Sequence, residues 1–477
     1  MKISRLYPNV SLNCNHHIGA LCSNSKNVKK NDVFYAIQGE NSDGNEYIEE
    51  AIYNGAKTII YNGNINSGCY HKNINYIKAV NVRKQLANDA KRFFHDISKN
   101  IKLIGVTGTN GKTTTTSLFY KYLRTLKKGV TLIGSNGAYI NDEYYETNNT
   151  TPSILEIYTI FKKTRRQKIK YVIMEVSSHA IKLLRVWGLN FHTVLLTNVT
   201  SDHLDFHKTY DDYLYTKGLF LTGCHKYAII NTETNDFDFL YRIANGKIIT
   251  FGKNSPDFKM DDIVIGNNYT KFKVKINNKE YVVETKMLAE FNVYNITGFL
   301  AILKTQNLFD NRVFSFLKGD IVVDGRMEII EKDGKNIYVD FAHTPDGVLK
   351  VLSYINSVKS NNLITVLGCG GNRDKEKRPI MGRIATDLSD YVIFTMDSPR
   401  GERPLDIINE MKAGCKTNNY SIIENRGEAI RVALDIAKTN DSIAILGKGN
   451  ENYIILDGKK IEFNDRKAVE KYLNINS

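Results

Sequence analysis

The residues best suited to chemistry form a glycine-rich loop, Gly105-Val-Thr-Gly108-Thr-Asn-Gly111-Lys112-Thr113-Thr114. Its glycines let backbone N–H groups turn inward around phosphate oxygens, and a helix that begins directly after the loop adds partial positive charge. Lys112 can reach terminal phosphate oxygens, and the Thr113 hydroxyl can bind Mg²⁺. The strict P-loop pattern requires glycine where this chain has Val106, so the loop is a variant of that pattern. We therefore predict a site for a nucleoside triphosphate.

Two further segments place ligands for a hard cation at the ends of predicted strands. Residues 171–176 are typical of a strand that carries Glu175, and residues 193–197 of a strand followed by Asp202 and His203. Carboxylates and imidazoles at strand ends beside a phosphate loop are where a Mg²⁺-bound nucleotide needs them. Zinc is the competing metal, and the triphosphate loop favours Mg²⁺.

The elements that position these residues alternate between strands and helices, which is typical of an α/β protein with parallel sheets. The pattern restarts near residues 99 and 321. A hairpin is predicted where the alternation 271–276 meets the turn Asn277-Asn278 and the run 281–284. We therefore predict three α/β domains, at residues 1–98, 99–322 and 323–477, the last carrying strands at 336–340, 363–367, 391–395, 421–424 and 442–446.

Composition narrows the class of protein. The chain has 477 residues, 42% of them hydrophobic and 24% charged, which excludes a disordered chain. No segment approaches the ~18 apolar residues of a membrane span, and the N-terminus lacks a signal-peptide core, so we expect a cytoplasmic protein. We also expect a monomer. Lys+Arg 65 against Asp+Glu 51 leaves +14. That surplus raises the alternative of a nucleic-acid-dependent ATPase, but the sequence carries no recognition helix and no stacking aromatics.

The motifs resemble, in order, those of the ATP-dependent Mur ligases of bacterial cell-wall synthesis, and among them the tripeptide synthetases. The motifs are GVTGTNGKTTTT at 105–116, MEVSSHAIKLLRV at 174–186, TNVTSDHLDFH at 197–207, FNVYN at 291–295, DGRME at 324–328, DFAHTPD at 340–346, GCGGNRDKEKRP at 368–379 and LGKGNENY at 446–453. The resemblance implies three domains: an N-terminal UDP-sugar-binding domain, a central P-loop ATPase domain with a parallel sheet, and a C-terminal Rossmann-like α/β domain that binds an amino acid.

The resemblance also implies the reaction and its nucleotide site. ATP would phosphorylate the D-Glu carboxylate of UDP-N-acetylmuramoyl-L-alanyl-D-glutamate, and an amine would attack the acyl phosphate. The implied catalytic residues are Lys112, Glu175, His203 and Lys217, the last carbamylated by CO₂. The implied ATP contacts are Gly108, Thr109, Asn110, Gly111, Lys112, Thr113, Thr114, Asn295, Arg326, Asp340 and His343. The implied Mg²⁺ ligands are Thr113, Glu175, His203 and carbamylated Lys217.

The implied contacts to the nucleotide sugar are Ser23, Ser25, Glu40, Asn41, Ser42, Asn149, Thr150, Thr151, Ser178 and Arg185. Two departures from the family pattern lie among them. Asn24-Ser25-Lys26 stands for Asp-Ser-Arg, and Leu183 stands for a common glutamine. Lysine cannot reproduce the planar fork of arginine, so we expect altered contacts to this substrate.

The amino acid is predicted from the segment Asp397-Ser398-Pro399-Arg400, which resembles the family box whose arginine binds the distal carboxylate of meso-diaminopimelate. Arg400, with Arg378 as a second cation, favours a carboxylate and opposes an ammonium group. Gly447 and Glu451 match the positions that hold the other end. We predict meso-diaminopimelate; L-lysine or another diamino acid is the alternative, because Ser398 and Asn450 depart from the family pattern.

Overall fold

The computed structural model describes residues 1–39, 42–65, 67–223 and 225–475. Contacts within the chain divide it into two compact units. The first unit comprises residues 1–105 and 129–192, and the second comprises residues 106–128 and 193–477. In the described ranges, no helix is long and apolar enough to cross a membrane.

The elements follow one another along the chain as an alternation of strands and helices. The strands are β1 (Leu21–Cys22), β2 (Val33–Tyr35), β3 (Thr58–Tyr61), β4 (Asn75–Lys78), β5 (Lys102–Thr107), β6 (Val130–Gly134), β7 (Gly137–Ile140), β8 (Glu143–Tyr145), β9 (Tyr171–Glu175), β10 (Phe191–Leu196), β11 (His225–Asn231), β12 (Lys247–Gly252), β13 (Phe258–Ile265), β14 (Thr270–Ile276), β15 (Lys279–Thr285), β16 (Glu328–Lys332), β17 (Lys335–Asp340), β18 (Leu363–Leu367), β19 (Tyr391–Phe394), β20 (Tyr420–Ile422), β21 (Ser442–Leu446), β22 (Tyr453–Leu456) and β23 (Lys459–Glu462). The helices are α1 (Ile3–Leu6), α2 (Ile48–Tyr53), α3 (Val82–Phe93), α4 (Lys112–Thr125), α5 (Ile154–Arg166), α6 (Ser178–Lys182), α7 (Leu204–His207), α8 (Tyr210–Leu221), α9 (Phe237–Ile243), α10 (Glu290–Thr305), α11 (Arg312–Lys318), α12 (Pro345–Val358), α13 (Lys377–Leu388), α14 (Pro404–Lys412), α15 (Arg426–Ile436) and α16 (Asp465–Tyr472).

The first unit contains a parallel sheet in the order β1-β2-β3-β4. Phe34 and Ile59 from its strands pack with Ile48 from α2 in a common core. The same unit holds β6, which pairs in parallel with β9 and antiparallel with β7, and the β7–β8 hairpin follows. The β1–β4 sheet and the region around β6 and β9 both have the short strands and helices that the sequence predicts.

The second unit contains the predicted hairpin. Strands β14 and β15 pair antiparallel across Asn277 and Asn278, whose φ angles of 48° and 64° suit a tight turn between twisted strands. Strand β13 joins the hairpin in antiparallel fashion and pairs in parallel with β12 at its start. The hairpin prediction is confirmed, and β13 is an addition that the sequence pattern did not indicate.

The C-terminal part of the second unit is a six-stranded sheet in the order β16-β17-β21-β18-β19-β20. Only β16 is antiparallel to its neighbour. Two apolar clusters, one with Leu352 and Met381 and the other with Ile430 and Val469, pack on this sheet. Because β21 pairs with both β17 and β18, the loops that follow these three strands meet at one edge, where ligands bind in such sheets. The predicted α/β class with parallel-rich sheets is confirmed.

Candidate active site

The phosphate-type loop lies between β5 and α4, as predicted. Gly108 and Gly111 have φ angles of +146° and +86°, which disfavour residues with a side chain. A Cβ atom at Gly108 would collide with the Thr197 hydroxyl, and one at Gly111 would collide with the Asn295 amide oxygen. Glycine is therefore required at both positions, and the loop brings the predicted residue Asn295 to the start of α4.

The segment that follows β10 anchors the loop. The backbone N–H of Thr109 donates to the Asn198 carbonyl at 2.9 Å, and that of Asn110 donates to the Asn198 side-chain oxygen at 3.0 Å. The Thr197 hydroxyl donates to the Asn110 carbonyl at 2.6 Å. The Asn110 amide in turn donates to Asp346 at 3.0 Å. These bonds fix the loop against the segment that follows β10 and occupy the backbone N–H groups of Thr109 and Asn110.

Lys112 and Thr113 stand at the first turn of α4. The Lys112 ammonium group donates to the carbonyls of Gly108 and Thr109, each at 2.8 Å. The buried Thr113 hydroxyl accepts a bond of 3.0 Å from the Arg326 guanidinium, and Thr114 next to it is also buried. The structure thus brings the predicted residues Arg326 and Thr113 together. A nucleotide phosphate can take the place of the loop carbonyls as acceptor for Lys112 and of the Thr113 hydroxyl as acceptor for Arg326.

Lys217 lies on α8 and reaches the same loop. Its side chain is buried, its Nζ donates to the Gly108 carbonyl at 2.8 Å, and it lies 4.7 Å from the Tyr213 ring centroid. Burial and the charge of Lys112 hold the pKa of Lys217 well below its usual range, against the opposing charge of Asp202. The amine is therefore held in an environment that favours its neutral, nucleophilic form.

His203 and Asp202 stand beside this lysine in the second unit. His203 has a left-handed backbone with φ of 57°, and its Nε2 lies 3.3 Å from Asp202. Asp202 also lies 3.6 Å from the buried Lys377. Burial alone would raise the pKa of Asp202. The charges of His203 and Lys377 outweigh that effect and hold this pKa well below its usual range. Sequence reasoning assigned no role to Lys377, although the motif at 368–379 contains it.

Asp340 and His343 follow β17. The two carboxylate oxygens of Asp340 accept the backbone N–H groups of Met327 and Ala342, each at 2.7 Å, and burial raises its pKa. The Nδ1–H of His343 donates to the Phe341 carbonyl at 2.9 Å. Burial and Lys377 lower the pKa of His343 to about 4. Asp340 therefore orders the two loops that carry Arg326 and His343.

The predicted amino-acid residues meet at the carboxyl edge of the C-terminal sheet. Asp397 and Ser398 are buried after β19, and Gly447 follows β21 with a φ angle of +117°. A Cβ atom at Gly447 would lie 2.9 Å from the Asp397 carboxylate. Glu451 lies on the same loop as Gly447, and its carboxylate accepts a bond of 2.7 Å from Lys448. The structure thus brings these four predicted residues into one cluster, together with Lys448, which sequence reasoning did not single out.

Arg400 completes this cluster through an unusual backbone. The φ angle of Arg400 is 56°. The preceding residue, Pro399, packs so closely on Gly371 that a side chain at position 371 would collide with the Pro399 carbonyl. The Nη1 of Arg400 donates to the carbonyls of Gly371 and Ser398 at 2.8 and 3.2 Å. Within the described residues its Nε and Nη2 make no hydrogen bond, so this edge of the guanidinium can receive a carboxylate.

The two other arginines of this region differ in their surroundings. Burial and the charge of Arg373 lower the pKa of Arg400, which identifies Arg373 as a neighbouring cation. The Arg378 side chain is instead fully buried, with hydrogen bonds to Glu402 at 2.9 Å and Glu410 at 2.7 Å. A contact between Arg378 and the amino acid would therefore require these bonds to break. Arg373 is the cation that sequence reasoning missed, although it noted the basic cluster 373–378.

The first unit brings together another set of predicted residues. Glu175 is buried, and its carboxylate accepts bonds from the backbone N–H and the hydroxyl of Ser135 at 3.0 and 3.2 Å. Thr150 lies 3.1 Å from the Ser135 hydroxyl, and Thr151 donates to the Glu175 carbonyl at 2.9 Å. Arg185 donates to the Thr151 carbonyl at 3.1 Å. Ser178 is buried at the start of α6, and Asn149 is exposed just before Thr150.

The uridine-side predictions fall on a separate part of the first unit. Ser25 is buried, and its hydroxyl donates to Glu50 at 2.5 Å, whereas Ser23 is exposed. The Asn24 side chain accepts the Lys26 backbone N–H at 3.0 Å and caps a short turn. Ser42 is exposed. Glu40 and Asn41 lie outside the described residues.

Comparison with known proteins agrees with the motifs. Residues 106–303 match the Mur ligase middle domain, and residues 325–449 match the Mur ligase glutamate ligase domain. A UDP-N-acetylmuramoyl-L-alanyl-D-glutamate--2,6-diaminopimelate ligase of Clostridium botulinum is 37% identical, over 94% of this chain and 94% of its own. The Clostridium tetani protein of that name is 38% identical, over 94% and 93%.

Solved structures agree with these relatives. A structure titled as a UDP-N-acetylmuramoyl-L-alanyl-D-glutamate--2,6-diaminopimelate ligase superposes with a TM-score of 0.70 and 28% identity, and covers 99% of both chains. The resemblance of the eight motifs is thereby confirmed over nearly the whole length of the protein. The chain belongs to the Mur ligase family.

Proposed function

We propose that this protein is an ATP-dependent ligase that joins meso-diaminopimelate to the D-Glu carboxylate of UDP-N-acetylmuramoyl-L-alanyl-D-glutamate. The names of its relatives support this substrate pair. The observation that carries the proposal lies in the second unit. There the phosphate-type loop and the Asp397–Arg400 cluster both occur, and the guanidinium of Arg400 has an open edge for a carboxylate.

The loop fits ATP on its own geometry. Two positions accept only glycine, so phosphate oxygens can approach the backbone N–H groups closely, and α4 adds the partial positive charge of its N-terminus. Lys112, now bonded to two loop carbonyls, supplies a cation at that point. When bound, ATP supplies the phosphoryl group that converts the poorly electrophilic carboxylate into an acyl phosphate with a good leaving group.

The residues of this chain then hold the reactants in line. Lys112 transfers its N–H bonds from the loop carbonyls to the nucleotide, and Arg326 leaves Thr113 for a phosphate oxygen. The open edge of Arg400 holds the distal carboxylate of the amino acid, so that the reacting amine faces the phosphorylated carboxylate. Positioning and charge stabilisation supply most of the rate in such phosphoryl transfers.

The residues proposed to hold Mg²⁺ in the second unit are Thr113, His203 and Lys217, and Glu175 of the first unit is proposed on the resemblance. Over the described ranges, no three His, Cys, Asp or Glu side chains form a ready-made metal centre. Such a centre is not needed, because each Mg²⁺ that accompanies a nucleotide takes one or two protein ligands besides phosphates and waters, and the four proposed ligands would be divided between two ions. The hydroxyl, imidazole and carbamate donors suit that ion.

Carbamylation of Lys217 is proposed because the amine is buried beside the loop and disfavours its charged form. A carbamate offers oxygens to a hard cation, whereas an ammonium group repels it. We expect Lys217→Ala to abolish ligation and a short carboxylic acid in solution to restore it in part. The exposed Lys226→Ala serves as the control. Undiminished activity of Lys217→Ala would remove the carbamate from the mechanism.

The proposed division of labour follows the three predicted domains, with boundaries near residues 98 and 322. The nucleotide-sugar contacts proposed for the first unit include Thr150, Thr151 and Arg185. Thr150 is hydrogen-bonded to Ser135, Thr151 to the Glu175 carbonyl, and Arg185 to the Thr151 carbonyl. The alternative amino acid, L-lysine, lacks the distal carboxylate and would set an ammonium group near Arg400 and Arg373, a like-charge contact.

The test is a phosphate-release assay with purified protein, ATP, UDP-N-acetylmuramoyl-L-alanyl-D-glutamate and one amino acid at a time. We expect release with meso-diaminopimelate and little with L-lysine, and mass spectrometry of the product should show the added residue. Turnover with L-lysine alone would replace the proposed amino acid. No turnover with any diamino acid would refute the proposed function.

A further inference from the structure

A buried ammonium group lies inside the cluster proposed to bind the amino acid. The side chain of Lys448 has no exposed surface, and its Nζ lies 2.7 Å from the Glu451 carboxylate, 3.3 Å from the Ser398 hydroxyl and 3.7 Å from the Asp397 carboxylate. A lysine ammonium group has three N–H donors and no acceptor. Lys448 therefore donates hydrogen bonds to Glu451 and Ser398, and Asp397 adds an ion-pair contact without a hydrogen bond.

The charges of this cluster balance only when Lys448 is counted. Asp397 and Glu451 are acidic, and Lys448 and Arg400 are basic. Arg426 and His343 also face Asp397, and Arg426 makes its own buried pair with Asp465 at 2.7 Å. Without the Lys448 charge, the buried Asp397 and the partly exposed Glu451 would lose the cation between them, and one of the two carboxylates would tend to take up a proton.

The pKa directions agree with this geometry. Burial alone would raise the pKa of Asp397, and Lys448 is the foremost of the cations that hold it below its usual range. Burial raises the pKa of Glu451, and Lys448 opposes that rise. Glu451 is thus the carboxylate that would protonate first if the ammonium group were removed.

Lys448 also connects to the backbone that presents Arg400. Ser398, which accepts a bond from Lys448, accepts a second at 3.3 Å from the backbone N–H of Ile455 in β22. Arg400 donates its own N–H to the Ile455 carbonyl at 2.9 Å and accepts one from Asp457 at 2.8 Å. Hydrogen bonds from Lys448 and from β22 and the turn after it therefore hold Ser398 and Arg400 in place and support the left-handed backbone of Arg400.

We propose that Lys448 is a positioning residue for amino-acid selection: it holds Asp397, Ser398 and Glu451 so that two ionised carboxylates meet the ammonium end of the amino acid while Arg400 meets a carboxylate. This inference rests on the proposed function. Lys448 itself has no exposed surface and acts through its partners. The choice of amino acid would then depend on the buried charge of Lys448 as well as on the residues that contact the amino acid.

The test compares Lys448→Met with the wild-type protein by steady-state kinetics. We expect KM for meso-diaminopimelate to rise roughly 10- to 100-fold, because one partner of a buried charge pair is lost. We expect KM for ATP to stay within about twofold, because the nucleotide loop makes no bond to Lys448. The acid limb of kcat/KM for the amino acid should move to higher pH as Glu451 becomes easier to protonate. The exposed Lys416→Met, which lies outside both the cluster and the β22–β23 hairpin, is the matched control.

A second variant keeps the inference testable if Lys448→Met folds poorly. In Lys448→Met/Glu451→Gln the unpaired carboxylate is also removed, so thermal stability should recover while KM for the amino acid stays high. Equal rises in KM for ATP and for the amino acid, or an unchanged acid limb, would overturn the inference. If the wild-type protein does not turn over meso-diaminopimelate, the proposed function fails. If the wild type is active and Lys448→Met behaves as wild type, only this inference fails.

Discussion

The open edge of Arg400 makes the choice of amino acid directly testable. Within the described residues the guanidinium uses Nη1 for the carbonyls of Gly371 and Ser398, which orients its Nε and Nη2 as a pair of parallel donors. Burial and the nearby charge of Arg373 lower the pKa of Arg400. Arg373 also lies 3.8 Å from the Asp205 carboxylate, so its charge near Arg400 is partly compensated. We expect Arg400→Ala to weaken binding of an amino acid that carries a distal carboxylate.

The magnitude follows from the lost charge-assisted bond. Such a bond contributes about 1.5–3 kcal/mol, and about 1.4 kcal/mol corresponds to a factor of ten, so kcat/KM for meso-diaminopimelate should fall roughly 10- to 140-fold. L-lysine carries no distal carboxylate, and its kcat/KM should stay the same or rise as the like charge disappears. The ratio of the two kcat/KM values therefore isolates the carboxylate contact from any general loss.

The assay is phosphate release with each amino acid in turn, for the wild type and for Arg400→Ala. Arg403→Ala, an exposed arginine close by in sequence, is the control for a lost surface charge. An equal fall with both amino acids would show that Arg400 supports the loop without selecting the substrate. A ratio unchanged from the wild type would refute the assignment of Arg400 to the distal carboxylate.

Three further changes test the fold around the site. Gly111→Ala should destabilise the loop by about 1–2 kcal/mol, because its left-handed backbone disfavours alanine, and should raise KM for ATP. Arg426→Leu should lower the free energy of unfolding by about 3–5 kcal/mol in urea titrations, because it leaves Asp465 charged and buried without its partner. His343 has a pKa lowered to about 4, so protonation favours the unfolded chain; stability should fall as pH drops from 6.5 towards 4, and His343→Gln should flatten that fall.

Each of these has an outcome that would contradict it. An unchanged KM for ATP in Gly111→Ala would mean that the loop accepts a Cβ atom. The double change Arg426→Leu/Asp465→Leu should recover most of the stability, and a double variant as unstable as the single one would deny that the unpaired carboxylate is the cause. The matched control is His17→Gln, at an exposed histidine, and an equal flattening there would remove the assignment to His343.

Several elements follow from local sequence alone. The β14–β15 hairpin forms where the alternation of apolar and polar residues meets Asn277 and Asn278, which accept left-handed backbone angles. Strands β18 and β21 have the bounds predicted from their apolar runs. In each case the residues that specify the element lie within it. Strand β13 escaped detection because a register shift between Asp261 and Val264 breaks its two-residue alternation.

The assignment of charged residues shows where local sequence is insufficient. Arg373 and Arg378 belong to one basic run, and only the packing of α13 decides that Arg378 is buried against Glu402 and Glu410. Arg373 is left as the neighbouring cation of Arg400. Lys448 is within a motif that the sequence reveals, together with its partner Glu451, but its other partners, Asp397 and Ser398, lie some fifty residues away along the chain. No pattern within a short segment can identify such partners.

The sequence by itself determined the α/β class, the phosphate-type loop and the family, because glycine spacing, apolar runs and motif order are properties of the chain alone. The tertiary structure decided which charges meet. Placement of β21 between β17 and β18 brings Asp340, Gly447 and the loop after Leu367 to one edge, and the crossover that achieves this spans most of the C-terminal region. Hydrogen bonds and charge pairs depend on distances of a few ångströms, which only the folded chain sets.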